Sequence, residues 1–266
     1  MITLAASIAA IALYLAASLF LLTLLLKKQP TQNPWLFCFA TSALIMHGVG
    51  NYGQIFTPEG FQFGFYAAAS VMFWTINLLV LLSSLKKPLH NLFIFQFPIS
   101  AIFVALSTFV PDTSEPSKIG LDIASHVILS VMAYSLLAIA ALQALMLAFQ
   151  NYQLKHKHPT GMVRLLPPLQ TMEALLFEFL WAGEILLTLS IGSGILFLED
   201  IFAQHLAHKS AFSLIAWLIY GILLWGRHQL GWRGNTAIRW ALGGFAALML
   251  AYFGSKLVLE LVLTYP

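Results

Sequence analysis

The stretch LDIASHVILSVMAYSLLAIAALQALMLAFQ, residues 121–150, carries a single charge, Asp122. Wound as a helix at 1.5 Å per residue it reaches ~45 Å, more than the ~30 Å hydrocarbon core of a bilayer. Its apolar residues do not alternate with polar ones, as the strands of a membrane barrel would. The whole chain follows suit. Its 266 residues are 60% hydrophobic and only 9% charged, against roughly 25% charged in a soluble domain. No soluble core hides that much apolar surface, so lipid is the solvent for most of it. Seven further runs read as spanning helices, at 3–26, 35–56, 63–85, 89–110, 173–198, 210–227 and 237–262. In each, backbone groups facing lipid must be bonded within the helix. The expected fold is all-α, a polytopic membrane bundle of eight helices, with residues 1–266 forming one integral membrane domain.

The charges between the runs predict an orientation. Lys27 and Lys28 follow the first run, and Lys86 and Lys87 the third. Lys155, Lys157 and Arg164 follow the fifth, and Arg227, Arg233 and Arg239 the seventh. Ten of the thirteen Lys and Arg thus fall in loops after odd-numbered spans. The other loops hold Glu59, Asp112, Glu115, Glu199 and Asp200. The positive-inside rule then places both termini outside. The first run has no basic segment before it, so it reads as an uncleaved helix rather than a signal peptide. The net charge of +3 reflects residues flanking helix ends and is no nucleic-acid footprint. Cys38 is the sole cysteine, which excludes an internal disulfide, a CxxC redox pair and a CxxCH haem attachment motif. No Walker motif is present. No nucleophile, base and orienting group recur at usable spacing, so the expectation is a protein that is not an enzyme.

Two histidines lie within apolar runs. His47 is twelve residues into the second, ~18 Å from the cytoplasmic side at 1.5 Å per residue. His126 is five residues into the fifth, ~22 Å from that side of a ~30 Å core. An imidazole in hydrocarbon needs a hydrogen bond, a charge or a metal. Two at one level can face each other across a haem iron, which makes His47 and His126 candidate axial ligands and haem b a candidate cofactor. The plainer role for each is a hydrogen bond to a neighbouring helix. His126, Ser130 and Tyr134 recur at i, i+4 and i+8 and share one side of their helix. Gly48, Gly50 and Gly53 beside His47 allow close approach of a backbone or a flat ligand. His208, in the loop before the seventh span, is the alternative ligand. Glu184 lies ~17 Å into the sixth span, where a carboxyl must be neutral or paired. With Trp181 and Trp217 it is a candidate for the lining of a cavity, although packing between helices is the commoner role of such residues. Trp35, Trp225, Trp232 and Trp240 cluster at span ends, as interfacial belts do.

His126-x3-Ser130-x3-Tyr134, Pro167-Pro-Leu-x3-Glu173, Leu224-Trp-Gly-Arg227, Gly231-Trp-Arg-Gly234 and Ala251-Tyr-Phe-Gly-Ser255 together resemble the cytochrome c assembly membrane protein family. That family includes the CcmC, CcsA and HemX types, and the likeness is strongest to its short, eight-span YpjD-like bacterial inner-membrane members. The resemblance is specific over about 120–260. The first four spans match mainly in layout and in an intramembrane histidine in the second. It implies haem held by histidines near the outer face, a place in the bacterial inner membrane, and other cytochrome c biogenesis or membrane proteins as partners beside the bilayer. His126 matches the family's outer histidine. The chain departs from the haem-handling members in three places. Their WGxxWxWD loop is replaced by residues 198–208, which hold no tryptophan. Trp225 stands where longer members have a histidine. The final outer histidine is missing after Ser255.

These observations predict a haem-binding membrane protein with an accessory role in cytochrome c assembly or haem handling. Two alternatives stand beside it, the permease component of a small-molecule transporter and a non-haem membrane scaffold or regulator. Paired broken helices and inverted repeats, which would favour a permease, are not visible.

Overall fold

Every long apolar run is a helix in the computed structural model of the chain, which describes residues 2–27, 29–58, 60–87, 89–111, 120–156, 166–197 and 204–254. The helices are α1 (Ile2–Leu26), α2 (Pro34–Ile55), α3 (Phe65–Ser84), α4 (Phe93–Phe109), α5 (Leu121–Lys155), α6 (Leu169–Phe197), α7 (Gln204–Gln229) and α8 (Asn235–Met249). The all-α membrane bundle expected from the sequence is therefore what forms. Bounds differ most where polar residues carry a helix past its apolar run. α5 continues to Lys155, α6 begins at Leu169 and α7 begins at Gln204. Between α2 and α3 the strands β1 (Phe56–Thr57) and β2 (Gly60–Phe61) pair antiparallel, a feature no periodicity announces. Residues 255–262 of the eighth expected span lie outside the described residues.

Among the described residues five helices are long and apolar enough to cross a membrane, namely α1, α3, α5, α6 and α7. The other three fall short for local reasons. His47, Asn51 and Gln54 lower the mean hydropathy of the 22-residue α2. The apolar α4 has 17 residues but is preceded by a 3₁₀ turn at His90–Leu92. The 15 residues of α8 run on into a π-helical turn at Leu250–Gly254.

The chain divides into two compact units, residues 1–119 and 120–266. In the first, α1 packs along α2 and α4. Small residues are buried on both α1 and α2, as is usual where lipid offers no hydrophobic drive between helices. Ala6, Ala10 and Ala17 of α1 and Ala40 and Ala43 of α2 are all buried. A Cβ at Gly50 would lie 2.6 Å from the Ser7 hydroxyl oxygen, so glycine sets how closely the two helices approach. Asn33 starts α2 by accepting from the Trp35 N–H at 3.0 Å, with Pro34 in the first turn where its missing N–H costs nothing. Pro98 sits inside α4 and leaves the Ile94 carbonyl without its helical donor. The Ser18 hydroxyl of α1 donates to that carbonyl at 3.3 Å and replaces the lost bond.

In the second unit α5 lies along α6, and α7 along α8, with α8 also on α5 and α7 on α6. Glycine again marks the closest approaches. Gly183 of α6 faces Leu137 of α5, and Gly244 of α8 faces the Tyr220 ring of α7. The α7–α8 turn is built on two positive-φ glycines, Gly231 at 68° and Gly234 at 55°. The Trp232 N–H returns to the Gly226 carbonyl at 3.1 Å, and its indole lies over Gly226.

Candidate functional site

His126 is half-buried near the start of α5. Its Nδ1 lies 3.0 Å from the Ser190 carbonyl and 3.0 Å from the Ser193 hydroxyl oxygen, both on α6. A carbonyl can only accept, so Nδ1 carries the proton. Ser193 spends its own proton on the Ser190 carbonyl at 2.8 Å and accepts from the same N–H. The tautomer is thereby set, and Nε2 holds the lone pair. Nε2 lies 3.5 Å from the Ser130 hydroxyl, at the edge of hydrogen-bonding distance. Ser130 has better partners, the His126 carbonyl at 2.8 Å and the Ser190 hydroxyl at 2.7 Å. Among the described residues, the imidazole is thus held by one nitrogen, and the other has only the long Ser130 contact.

The stripe expected on α5 splits between two neighbours. His126 and Ser130 meet serines of α6. Tyr134, two turns on, reaches the Ser213 side chain of α7 and the Tyr252 ring at 6.0 Å. Trp217 donates its indole N–H to the Thr188 hydroxyl at 2.9 Å. Trp181 of α6 is 52% exposed. Glu184 is buried on α6. Its Oε1 faces Gly221 of α7, where a Cβ would stand 3.6 Å away. Neither its Oε2 nor the buried Tyr220 hydroxyl has a partner among the described residues. His208 falls on α7, and its side chain lies outside the described residues.

His47 stands in the other unit and in a different state. It is buried, and both its nitrogens are in use. Nε2 lies 2.9 Å from the Ser70 hydroxyl, and Nδ1 lies 3.1 Å from the Tyr14 hydroxyl. Ser70 donates to Asn51 Oδ1 at 2.8 Å, so it must accept from Nε2–H, and Tyr14 must donate to Nδ1. The network runs on through Asn77, whose side chain reaches the Tyr14 hydroxyl. Asn77 donates to the Ser100 hydroxyl at 2.8 Å and accepts from the Gln96 amide at 2.8 Å. All four helices of the unit are joined by these bonds. Tyr14→Phe is expected to lower stability by about 1 kcal/mol, because it leaves Nδ1 buried without a donor. The midpoint of SDS-induced unfolding measures this, and an unchanged midpoint would speak against the bond.

One charged cluster completes the second unit. Glu173 Oε1 accepts from Arg227 Nη1 at 2.7 Å and from Arg233 Nε at 3.0 Å. Arg227 also donates to the Trp232 carbonyl at 3.2 Å, and its guanidinium lies 4.5 Å from the centre of the Phe177 ring. Sequence reasoning singled out His126 and His47 but missed the residues that fix them. Ser190 and Ser193, at i and i+3 in the run Leu189-Ser-Ile-Gly-Ser, were a readable signal. Nothing in the sequence ties Tyr14 to His47 across 33 residues.

The family described as cytochrome c assembly protein matches residues 1–263. The inner membrane protein YpjD of Escherichia coli K12 is 36% identical over 169 residues, covering 62% of this chain and 63% of its own length. The cytochrome c biogenesis protein CcsA of Chlamydomonas reinhardtii is 25% identical over 138 residues, or 51% of this chain and 38% of that protein. Protein HemX of Brevibacillus brevis is 23% identical over 162 residues, or 59% and 60%. The chain matches less than two thirds of the length of each of these relatives. No solved structure gives a significant match. The chain belongs to the cytochrome c assembly protein family, as a multi-pass inner-membrane member with apolar helices of spanning length.

Proposed function

We propose that the protein is a haem-binding accessory of cytochrome c assembly or haem handling, in which His126 supplies an axial ligand through Nε2. The observation that carries this reading is the anchored imidazole. Metal-ligating histidines donate their other N–H to a carbonyl or carboxylate, which fixes the tautomer and aims the lone pair. Here His126 donates its Nδ1–H to the Ser190 carbonyl and the Ser193 hydroxyl. The group the family implies is haem b, whose iron would supply a redox-active centre that accepts an imidazole nitrogen. The chain itself orients His126 and performs no bond-making chemistry. By the charge asymmetry of the loops, the ligand lies in the outer half of the membrane.

For a bis-histidine site, His47 would have to give up either Tyr14 or Ser70, since both its nitrogens serve the first unit. His208 is the other candidate for the second position. The permease reading draws on a separate observation, the buried Glu184 and Tyr220 oxygens that have no partner among the described residues, and predicts a colourless protein.

Haem titration of the detergent-purified protein, with content fixed by the pyridine haemochrome assay, tests the proposal. Ser193→Ala is expected to weaken haem binding by about tenfold, the lower range for loss of a partner that orients a metal ligand. A protein that takes up no haem when supplied with it, or a Ser193→Ala variant that binds as tightly as the original, would count against it.

A further inference from the structure

We infer that the turn between α7 and α8 is a binding site for the phosphate headgroup of an anionic phospholipid. The site does not depend on the haem proposal. Three arginines lie within thirteen residues here, Arg227, Arg233 and Arg239, with His228 beside the first. Glu173 pairs with two of the arginines, one of its oxygens taking both Arg227 and Arg233. Two guanidiniums on one carboxylate leave a net positive charge at the end of a spanning helix.

The two arginines differ in role. Arg227 is held by Glu173, the Trp232 carbonyl and the Phe177 ring. Arg233 touches Glu173 through Nε, and its side chain is 61% exposed. Its terminal nitrogens form a fork suited to two phosphate oxygens. Pairing through Nε fixes the direction of that fork, which an unpaired surface arginine would lack.

Apolar residues flank the charge along the chain. Trp225 and Leu230, on either side of Arg227 in the chain, are both among the exposed large hydrophobics. The Trp232 ring packs against Trp240 at 5.2 Å, which places the start of α8, with exposed Arg239, beside the turn. Exposed guanidinium within a few residues of exposed indole and leucine suits a molecule with an anionic head and apolar tails. A free phosphate would use only the first. Basic pockets between spanning helices bind anionic headgroups in this way.

The test is lipid retention by the full-length protein in detergent, read by native mass spectrometry after exposure to phosphatidylglycerol or phosphatidylcholine. Phosphatidylglycerol should be retained preferentially. Arg233→Ala should lower that preference about fivefold, equivalent to about 1 kcal/mol for one surface cation. Arg239→Ala, a change outside the Glu173 ion pair, should lower it in the same direction. Equal retention of the two lipids, or a preference untouched by both substitutions, would overturn the inference. Displacement of the lipid by equimolar inorganic phosphate would overturn the lipid assignment and leave a soluble-anion site.

Discussion

Arg227→Ala is expected to destabilise the protein by about 2–3 kcal/mol, which is the 3–5 kcal/mol of a broken buried ion pair discounted for partial solvation of the arginine. The loss arises from what is left behind. The Glu173 side chain is only 7% exposed, and Arg227 is its less solvated partner. Arg233 remains, but it stands largely in solvent and its attraction is screened. The Trp232 carbonyl also loses its Arg227 donor, and the Phe177 face loses its cation. The midpoint of SDS-induced unfolding should fall accordingly. Adding Glu173→Leu to Arg227→Ala should recover most of the loss, because the stranded carboxylate is then gone. If Arg227→Ala alone shifts the midpoint by less than a surface-charge change does, the carboxylate is not held as described.

Gly183→Ala is expected to cost about 1–3 kcal/mol, the range for overpacking a filled interior. A Cβ there would stand 2.6 Å from Leu137 Cδ2 and 2.7 Å from Leu137 Cγ, with Leu136 Cβ at 3.5 Å. Leu137 is buried, so it has no open side to turn toward. Because Cγ is also too near, rotating the end of the side chain does not relieve the contact, and α5 and α6 must part. Those are the two helices that hold His126 and its serines, so this variant should also loosen the anchored imidazole. Gly192→Ala on the same helix meets nothing within 4 Å and should be neutral or stabilising, since alanine favours a helix over glycine. Equal responses from the two glycines would show that helix propensity, and not contact with α5, governs this interface.

Helix number and type were legible in the sequence because lipid imposes a coarse rule. A span must be apolar for about twenty residues, and α1 and α5 announce this without ambiguity. Ends were less legible. The interval 151–155 is polar, so hydropathy stopped α5 at Gln150 where the backbone hydrogen bonds continue to Lys155. The candidate ligands were readable for a similar reason, since an imidazole in hydrocarbon demands an explanation. What periodicity could not supply was the partner. His47 and His126 look alike as sequence, each a lone histidine among apolar residues. Tyr14 and Ser70, from two other helices, saturate the first, whereas Ser190 and Ser193 occupy one nitrogen of the second. Depth arithmetic placed the two rings at one level but carries no information about which nitrogen is free. Trp181 shows the same limit, because its depth in a span does not tell how exposed it is, and it is 52% exposed.

The absorption spectrum of the detergent-purified protein, oxidised and dithionite-reduced, with His126→Ala measured beside it, tests the central claim most directly. A Soret band with sharp reduced α and β bands, lost or strongly diminished in His126→Ala, is the predicted result. A protein without haem after expression with haem supplied, or an unchanged spectrum in His126→Ala, would contradict the assignment of His126 as ligand.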